Sequence, residues 1–250
     1  MKINYCKNCL VMSTRPRVSF DSRGFCNACI WSEKKKKYNW SNNLKKLYKK
    51  IKTIKKKNSY DCIVPVSGGK DGSYVYHNVK KKFNLNPLAV TVNPPLPQKL
   101  GEKNLSNFVN KDVSLIRVDP PYEAMRKLNL IGFEFLGFPY YGWLISIHTA
   151  VLRIAVNFDI KLIFYGEDGE LEYGGTTETN KDIIYDVEYQ KKVYLENGFD
   201  YIINKSKISK SDLTFFTYPE RKNYNGIFLT HYSYYENWDP YKNYLIAKKY

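Results

Sequence analysis

Seven consecutive residues, Ser67-Gly68-Gly69-Lys70-Asp71-Gly72-Ser73, bring together two hydroxyls, a cation, a carboxylate and three glycines. The apolar run Asp61-Cys62-Ile63-Val64-Pro65-Val66 before them reads as a strand, and a helix is expected from about Tyr74. A glycine-rich turn between strand and helix is suited to phosphate. Glycine lets the backbone approach an anion closely, and the first amides of the helix point at it with the helix dipole behind them. The spacing is not that of the kinase-type phosphate loop.

A second group of residues with chemistry lies at the start of the chain, as Cys6-Lys7-Asn8-Cys9 and Cys26-Asn27-Ala28-Cys29. Two such knuckles separated by a hairpin-sized insert can direct four thiolates at one zinc ion, and four cysteines fill its shell, so the zinc is expected to be structural. Disulfides and an iron–sulfur cluster are the competing readings. Asp21-Ser22-Arg23-Gly24 supplies turn chemistry for a ribbon too small to fold on apolar burial alone.

SGGKDGS resembles the SGGxDS loop of the PP-loop ATP pyrophosphatases, which split ATP into AMP and pyrophosphate while adenylating a carbonyl-type oxygen. The resemblance implies that Ser67, Gly68, Gly69 and Ser73 cradle the leaving pyrophosphate, that Lys70 neutralises its charge and that Asp71 helps place magnesium. Gly72 stands where that family has the second serine, so Ser73 is expected to serve instead.

The elements that must position these groups follow from the apolar pattern. Runs at 61–66, 88–92, 113–118, 161–165 and 226–230 read as strands with helices between most of them. This predicts an α/β fold, a doubly wound parallel five-stranded sheet, with ligands beyond the carboxyl ends of the strands. The second strand ends at Val92-Asn93, where related folds place adenosine. The fourth runs into Gly166-Glu167-Asp168-Gly169-Glu170-Leu171-Glu172-Tyr173-Gly174-Gly175, four acids and four glycines in ten residues, and Gly166 and Glu167 are the candidates there for nucleotide contact and catalysis. His77, His148 and His231 lack ligand spacing. His148 reads as a hydrogen-bonded core residue, His231 as a strand-end residue and Cys62 as a buried, inert thiol.

The net charge of +16 is concentrated near the start. Residues 33–57 carry twelve lysines against Glu33, whereas from 58 onward 23 basic residues face 22 acidic ones. The organisation expected is a zinc ribbon over 1–32, a basic amphipathic linker helix over 33–58 with Trp40, Leu44, Leu47, Tyr48, Ile51 and Ile54 on its apolar face, and an ATP-binding body over 59–250. No apolar run reaches the length of a membrane span and Met1-Lys2-Ile3-Asn4 is not a signal peptide, so a cytoplasmic protein without membrane contact is expected.

Over nearly the whole length these features resemble the N-acetyl sugar amidotransferases of bacterial surface-glycan synthesis: the paired knuckles, the loop at Ser67, Gly166-Glu167 with Glu172-Tyr173-Gly174-Gly175, and Trp238-Asp239-Pro240-Tyr241-Lys242-Asn243. The resemblance implies ATP, magnesium and zinc as cofactors, an N-acetylated sugar as substrate, and ammonia from a separate glutaminase subunit, since Met1-Lys2 gives no N-terminal cysteine nucleophile. Family members run past the position of Tyr250, so a body truncated within a helix over 241–250 is expected, and with it an alternative non-catalytic role. The other alternative is a PP-loop enzyme that modifies tRNA. The neutral body argues against nucleic acid, and the absence of a second cysteine pair argues against thiolation.

Overall fold

Five short apolar runs form strands in the structure, a computed structural model that describes residues 3–15, 17–54, 59–173, 183–195 and 198–249. They are β1 (Cys62–Pro65), β2 (Pro87–Val92), β3 (Leu115–Val118), β4 (Leu162–Tyr165) and β5 (Phe228–His231). All pair in parallel in the order β3-β2-β1-β4-β5, the doubly wound sheet expected from the sequence. Ile63 of β1 aligns with Leu88 on one side and Ile163 on the other. Cys62, Ile63 and Val64 have no solvent exposure, as a strand covered on both faces requires. Burial, with the charge of Asp61 nearby, pushes the Cys62 thiol well above its ordinary range.

Helices α1 (Asn27–Lys35) and α2 (Ser41–Ile54) precede the sheet. The chain then steps outward through α3 (Lys70–Lys82) and α4 (Lys99–Val109) to β3 and returns through α5 (Tyr122–Leu136) and α6 (Tyr141–Asn157) to β4. Right-handed crossovers therefore place α3 and α4 on one face and α6 on the other, where α6 lies against β1 and β2 and α5 packs on α6 and α9 in a second apolar cluster. The connection from β4 to β5 carries α7 (Gly169–Glu172), α8 (Val187–Val193), α9 (Phe199–Ser206) and α10 (Arg221–Tyr224), and α11 (Pro240–Lys249) then packs on α3.

The linker helix expected over 33–58 is instead two helices. The first starts inside the second cysteine knuckle and stops at Lys35, where Trp31, Tyr38 and Trp40 pack ring against ring and turn the chain. Asn39 then accepts the Ser41 amide at 3.1 Å and starts α2. Leu47 and Ile51 are buried as expected, Tyr48 is exposed, and residues 55–58 lie outside the described residues.

The knuckles are built by short-range bonds. Cys6 N–H donates to Val11 and Lys7 N–H to Gly24, while the Asp21 carboxylate accepts the amides of Arg23 and Phe25. The four sulfurs all lie within 4.8 Å of one another, with Cys6 to Cys29 at 3.9 Å and Cys9 to Cys26 at 3.6 Å. The ribbon is tied to the body by Glu172, whose carboxylate accepts Lys35 Nζ at 2.6 Å and the Trp31 indole N–H at 3.3 Å.

Between β4, β5 and α8 the core is polar. Asp168, with no exposure, accepts the hydroxyls of Tyr194 at 3.1 Å and Tyr234 at 2.7 Å, and its amide donates to Ser233 Oγ. His148 Nδ1 lies 2.8 Å from the Gln190 amide nitrogen, and Tyr185 and Tyr194 flank His231. Burial pulls His231 down to about 4 against the opposing charge of Asp168, and pulls His148, with His231 beside it, to about 3.

Both histidines stay neutral when folded, whereas the unfolded chain protonates them below its ordinary value of 6.5. The unfolded state then binds more protons, so stability falls as pH drops from 6.5 toward 4, by at most about 1.4 kcal/mol per pH unit for each histidine. Thermal unfolding across that range should show a flatter decline for His231→Gln than for the parent chain; equal slopes count against the assignment. A second expectation concerns Gly68, whose φ is +76° and where a Cβ would lie 2.2 Å from the Gly101 carbonyl. Gly68→Ala should cost about 1–3 kcal/mol. Gly101→Ala, whose Cβ meets only ordinary contact at 3.8 Å, should stabilise its helix by about 0.5–1 kcal/mol in the same denaturation assay.

Candidate functional site

β1 delivers the loop to the centre of the sheet, at the point where the chain's direction of strand addition reverses. Gly69, in extended conformation, precedes the helix, so Lys70 and Asp71 occupy the first turn of α3. The aspartate there complements the positive helix end, and Lys80, Lys81 and Lys82 complement the other. Gly68 is buried against α4, while Ser67 and Gly69 are exposed. A Cβ at Gly72 would meet Val66 Cα at 3.0 Å and the Pro65 carbonyl at 3.2 Å, so this glycine lets the helix settle onto the end of β1. Ser73 Oγ donates to the Gly69 carbonyl at 3.1 Å and lines a cavity beside the loop.

Lys70 Nζ and Asp71 Oδ2 form an ion pair at 2.6 Å. The other carboxylate oxygen, Oδ1, accepts the amide of Asn243 on α11 at 2.9 Å. Gly166, at the end of β4, faces the same aspartate: a side chain there would touch Asp71 Cβ at 3.7 Å and the Trp238 ring at 3.6 Å. The structure thus brings Lys70, Asp71 and Gly166 together from two strand ends. Glu167 follows directly and accepts the Tyr173 hydroxyl at 3.1 Å. Burial and the negative charges of Glu167, Glu172 and Asp71 push that phenol above its ordinary range.

The other acids of this segment have different tasks. Asp168 is enclosed by tyrosines and Glu172 belongs to the tie with the ribbon. Gly174 and Gly175 lie outside the described residues. Val92 and Asn93 stand at the end of β2, but their bonds run away from the loop. The Val92 carbonyl accepts the Trp143 indole at 3.2 Å, and the Asn93 side chain links Arg117 at 2.6 Å to Asp119 at 2.5 Å.

Three contributors were not singled out as site residues in the sequence. Trp238 and Asn243 come from the motif that carries the sugar-amidotransferase resemblance, and Tyr173 from the segment after β4. Glu236, just before that motif, anchors it: its carboxylate accepts the Tyr74 hydroxyl and pairs with Lys82 at 2.6 Å and Lys242 at 3.1 Å. Against burial, Lys82 and the Tyr74 hydroxyl hold Glu236 below its ordinary value.

The cysteine cluster is the second candidate site. Four thiolates about 2.3 Å from one tetrahedral ion lie about 3.8 Å apart, which the observed spacings match. Although burial opposes it, the backbone amides of Cys9, Asn8 and Cys26 bring the Cys6 thiol down to about 6, whereas burial and the neighbouring cysteine sulfurs push the Cys26 thiol up and, against the Asn8 amide, the Cys29 thiol up to about 12.

No protein-family model matches the chain. The uncharacterized protein MJ1599 of Methanocaldococcus jannaschii is 30% identical over 108 residues, covering 41% of this chain and 37% of that protein. The aligned part thus spans little more than a third of the length of this curated relative. Among solved structures, the U34-tRNA thiolase NcsA from Methanococcus maripaludis with its 4Fe-4S cluster is similar at a TM-score of 0.39 and 14% identity, covering 99% of this chain and 73% of that one. The predicted subunit of tRNA methyltransferase from Methanocaldococcus jannaschii is similar at a TM-score of 0.37 and 18% identity, covering 76% and 75%.

Proposed function

We propose that the protein uses ATP to adenylate a carbonyl-type oxygen, releasing pyrophosphate, and that the substrate is the N-acetyl group of a sugar, which ammonia from a separate glutaminase then converts to an acetamidino group. The observation that supports this reading is the convergence of Lys70, Asp71 and Gly166 at the first turn of α3, beneath a loop that only glycine can form at position 68. In this reading the amide oxygen bonds to the α-phosphorus as the bond to the β-phosphate oxygen breaks. Ammonia adds to the imidoyl carbon, a proton is lost, and AMP departs with the former amide oxygen.

The chain's own part is binding and charge placement. The amides at the start of α3 and Lys70 receive the leaving pyrophosphate, while Glu167, beside the site, takes the proton from the incoming amine. Asp71 would hold magnesium, which neutralises charge on the polyphosphate when bound. In the ribbon, Cys6, Cys9, Cys26 and Cys29 would hold zinc as a structural ion.

A second reading takes a tRNA base as the carbonyl donor, tRNA being the molecule that the thiolase and the methyltransferase of the two similar structures are named for. Its own support is the cavity of about 570 Å3 beside the loop, where Lys70, Lys111, Lys248 and Lys249 line the wall and no carboxylate does among the described residues. Cys62 is the one cysteine of this sequence outside the knuckles and is buried in β1, so it is not placed to carry sulfur to a substrate.

Mass spectrometry of incubations with magnesium ATP, ammonium and either N-acetylated sugars or tRNA separates the two. The first reading expects AMP together with an oxygen-to-NH product on a sugar, and AMP formed with tRNA alone supports the second. Asp71→Asn should reduce AMP formation about 100-fold or more; a variant at full turnover refutes the assignment. Elemental analysis should find one zinc per chain, lost in Cys26→Ser, and a metal-free ribbon that unfolds at the parent temperature would count against the zinc site.

A further inference from the structure

Asn243 has no solvent exposure, yet only one of the two polar atoms of its side-chain amide has a partner among the described residues. A carboxylate only accepts, so the NH2 of Asn243 must face Asp71 Oδ1, 2.9 Å away. Its own Oδ1 is then buried with no partner among the described residues. An acceptor stranded in this way costs stability, and an apolar side chain of similar volume would avoid that cost. A residue kept at such a cost points to a task other than holding the fold.

The surroundings show what the amide is aimed by. The Asp239 carboxylate caps α11 by accepting the amides of Tyr241 at 2.9 Å and Lys242 at 3.2 Å, with Pro240 at the first helical position. Glu236 clamps the same segment onto α3 through Lys82, Lys242 and Tyr74. Trp238 is 3% exposed and closes the side toward Gly166. The start of α11 is therefore held from several directions, and Asn243 is the side chain it delivers to the loop.

We propose that Asn243 is a positioning residue for Asp71, fixing Oδ1 so that Oδ2, now paired with Lys70, points at the polyphosphate and its magnesium ion when the nucleotide is bound. This rests on the ATP-using reading above. Lys70 can leave Asp71 for a phosphate without freeing the carboxylate to rotate, because the bond from Asn243 remains.

The test is calorimetric titration with α,β-methylene-ATP, with and without magnesium, alongside thermal unfolding and AMP formation. For Asn243→Leu we expect an unchanged or raised Tm, unchanged metal-free affinity, and loss of about 10-fold or more of the magnesium-dependent affinity. Asn243→Ala should show the same loss where leucine overpacks the site. A variant with a lower Tm and the full magnesium response makes Asn243 a structural residue and overturns the proposal. Loss of metal-free binding overturns it as well, since α11 would then be shaping the loop itself, and so does a parent chain without any magnesium response. Failure of the parent chain to form AMP with either substrate class instead overturns the functional reading alone, because the titration needs no turnover.

Discussion

Ile63 sits between Leu88 and Ile163 with no exposure, and the ladder on either side of it fixes where the chain can turn toward solvent. A strand covered on both faces and paired on both edges has no latitude in register, because a slip would displace buried aliphatic side chains on two neighbours at once. The last buried residue of this run is Val66, whose amide still donates to Val90 at 2.9 Å, and the phosphate-type loop begins one residue later. The position of Lys70 and Asp71 is in this sense a consequence of hydrophobic burial four to eight residues upstream.

The loop is then shaped by contact rather than by its own bonds. Gly68 presses on the Gly101 carbonyl and Gly72 on the end of β1, so the loop approaches α4, and α3 approaches the strand, at distances that a methyl group would prevent. The aspartate at the helix start is flanked on the same chain by Lys70 and from far along it by Asn243. Two strand ends, two helices and a clamp through Glu236 thus define one carboxylate.

The parts of this arrangement that rest on local pattern were legible in the sequence. Aliphatic runs bounded by turn residues gave the five strands, the glycines and acid of SGGKDGS gave the loop, and the cysteine spacing gave the cluster. Partners distant in sequence were not legible. Asn243 lies 172 residues from Asp71, and Glu172 lies 137 from Lys35. Both meetings depend on how the β4–β5 connection and α11 fold back, which no periodicity encodes. The break between α1 and α2 was hidden for a different reason: lysine-rich sequence continues across it, and the aromatic packing of Trp31, Tyr38 and Trp40 decides where the helix ends. The tyrosines acquire meaning in place, since Tyr194 and Tyr234 donate to the carboxylate of Asp168, which has no exposure.

Glu172 couples the ribbon to the body through a buried charge. Its side chain is 7% exposed and its oxygens are shared between an indole and an ammonium that both belong to α1. Removing one partner from a buried charge costs about 3–5 kcal/mol, a large part of what holds a domain of this size together. Any change that keeps α1 in place but removes one of these partners therefore acts on the segment after β4 as well as on the ribbon, although the two are far apart in sequence.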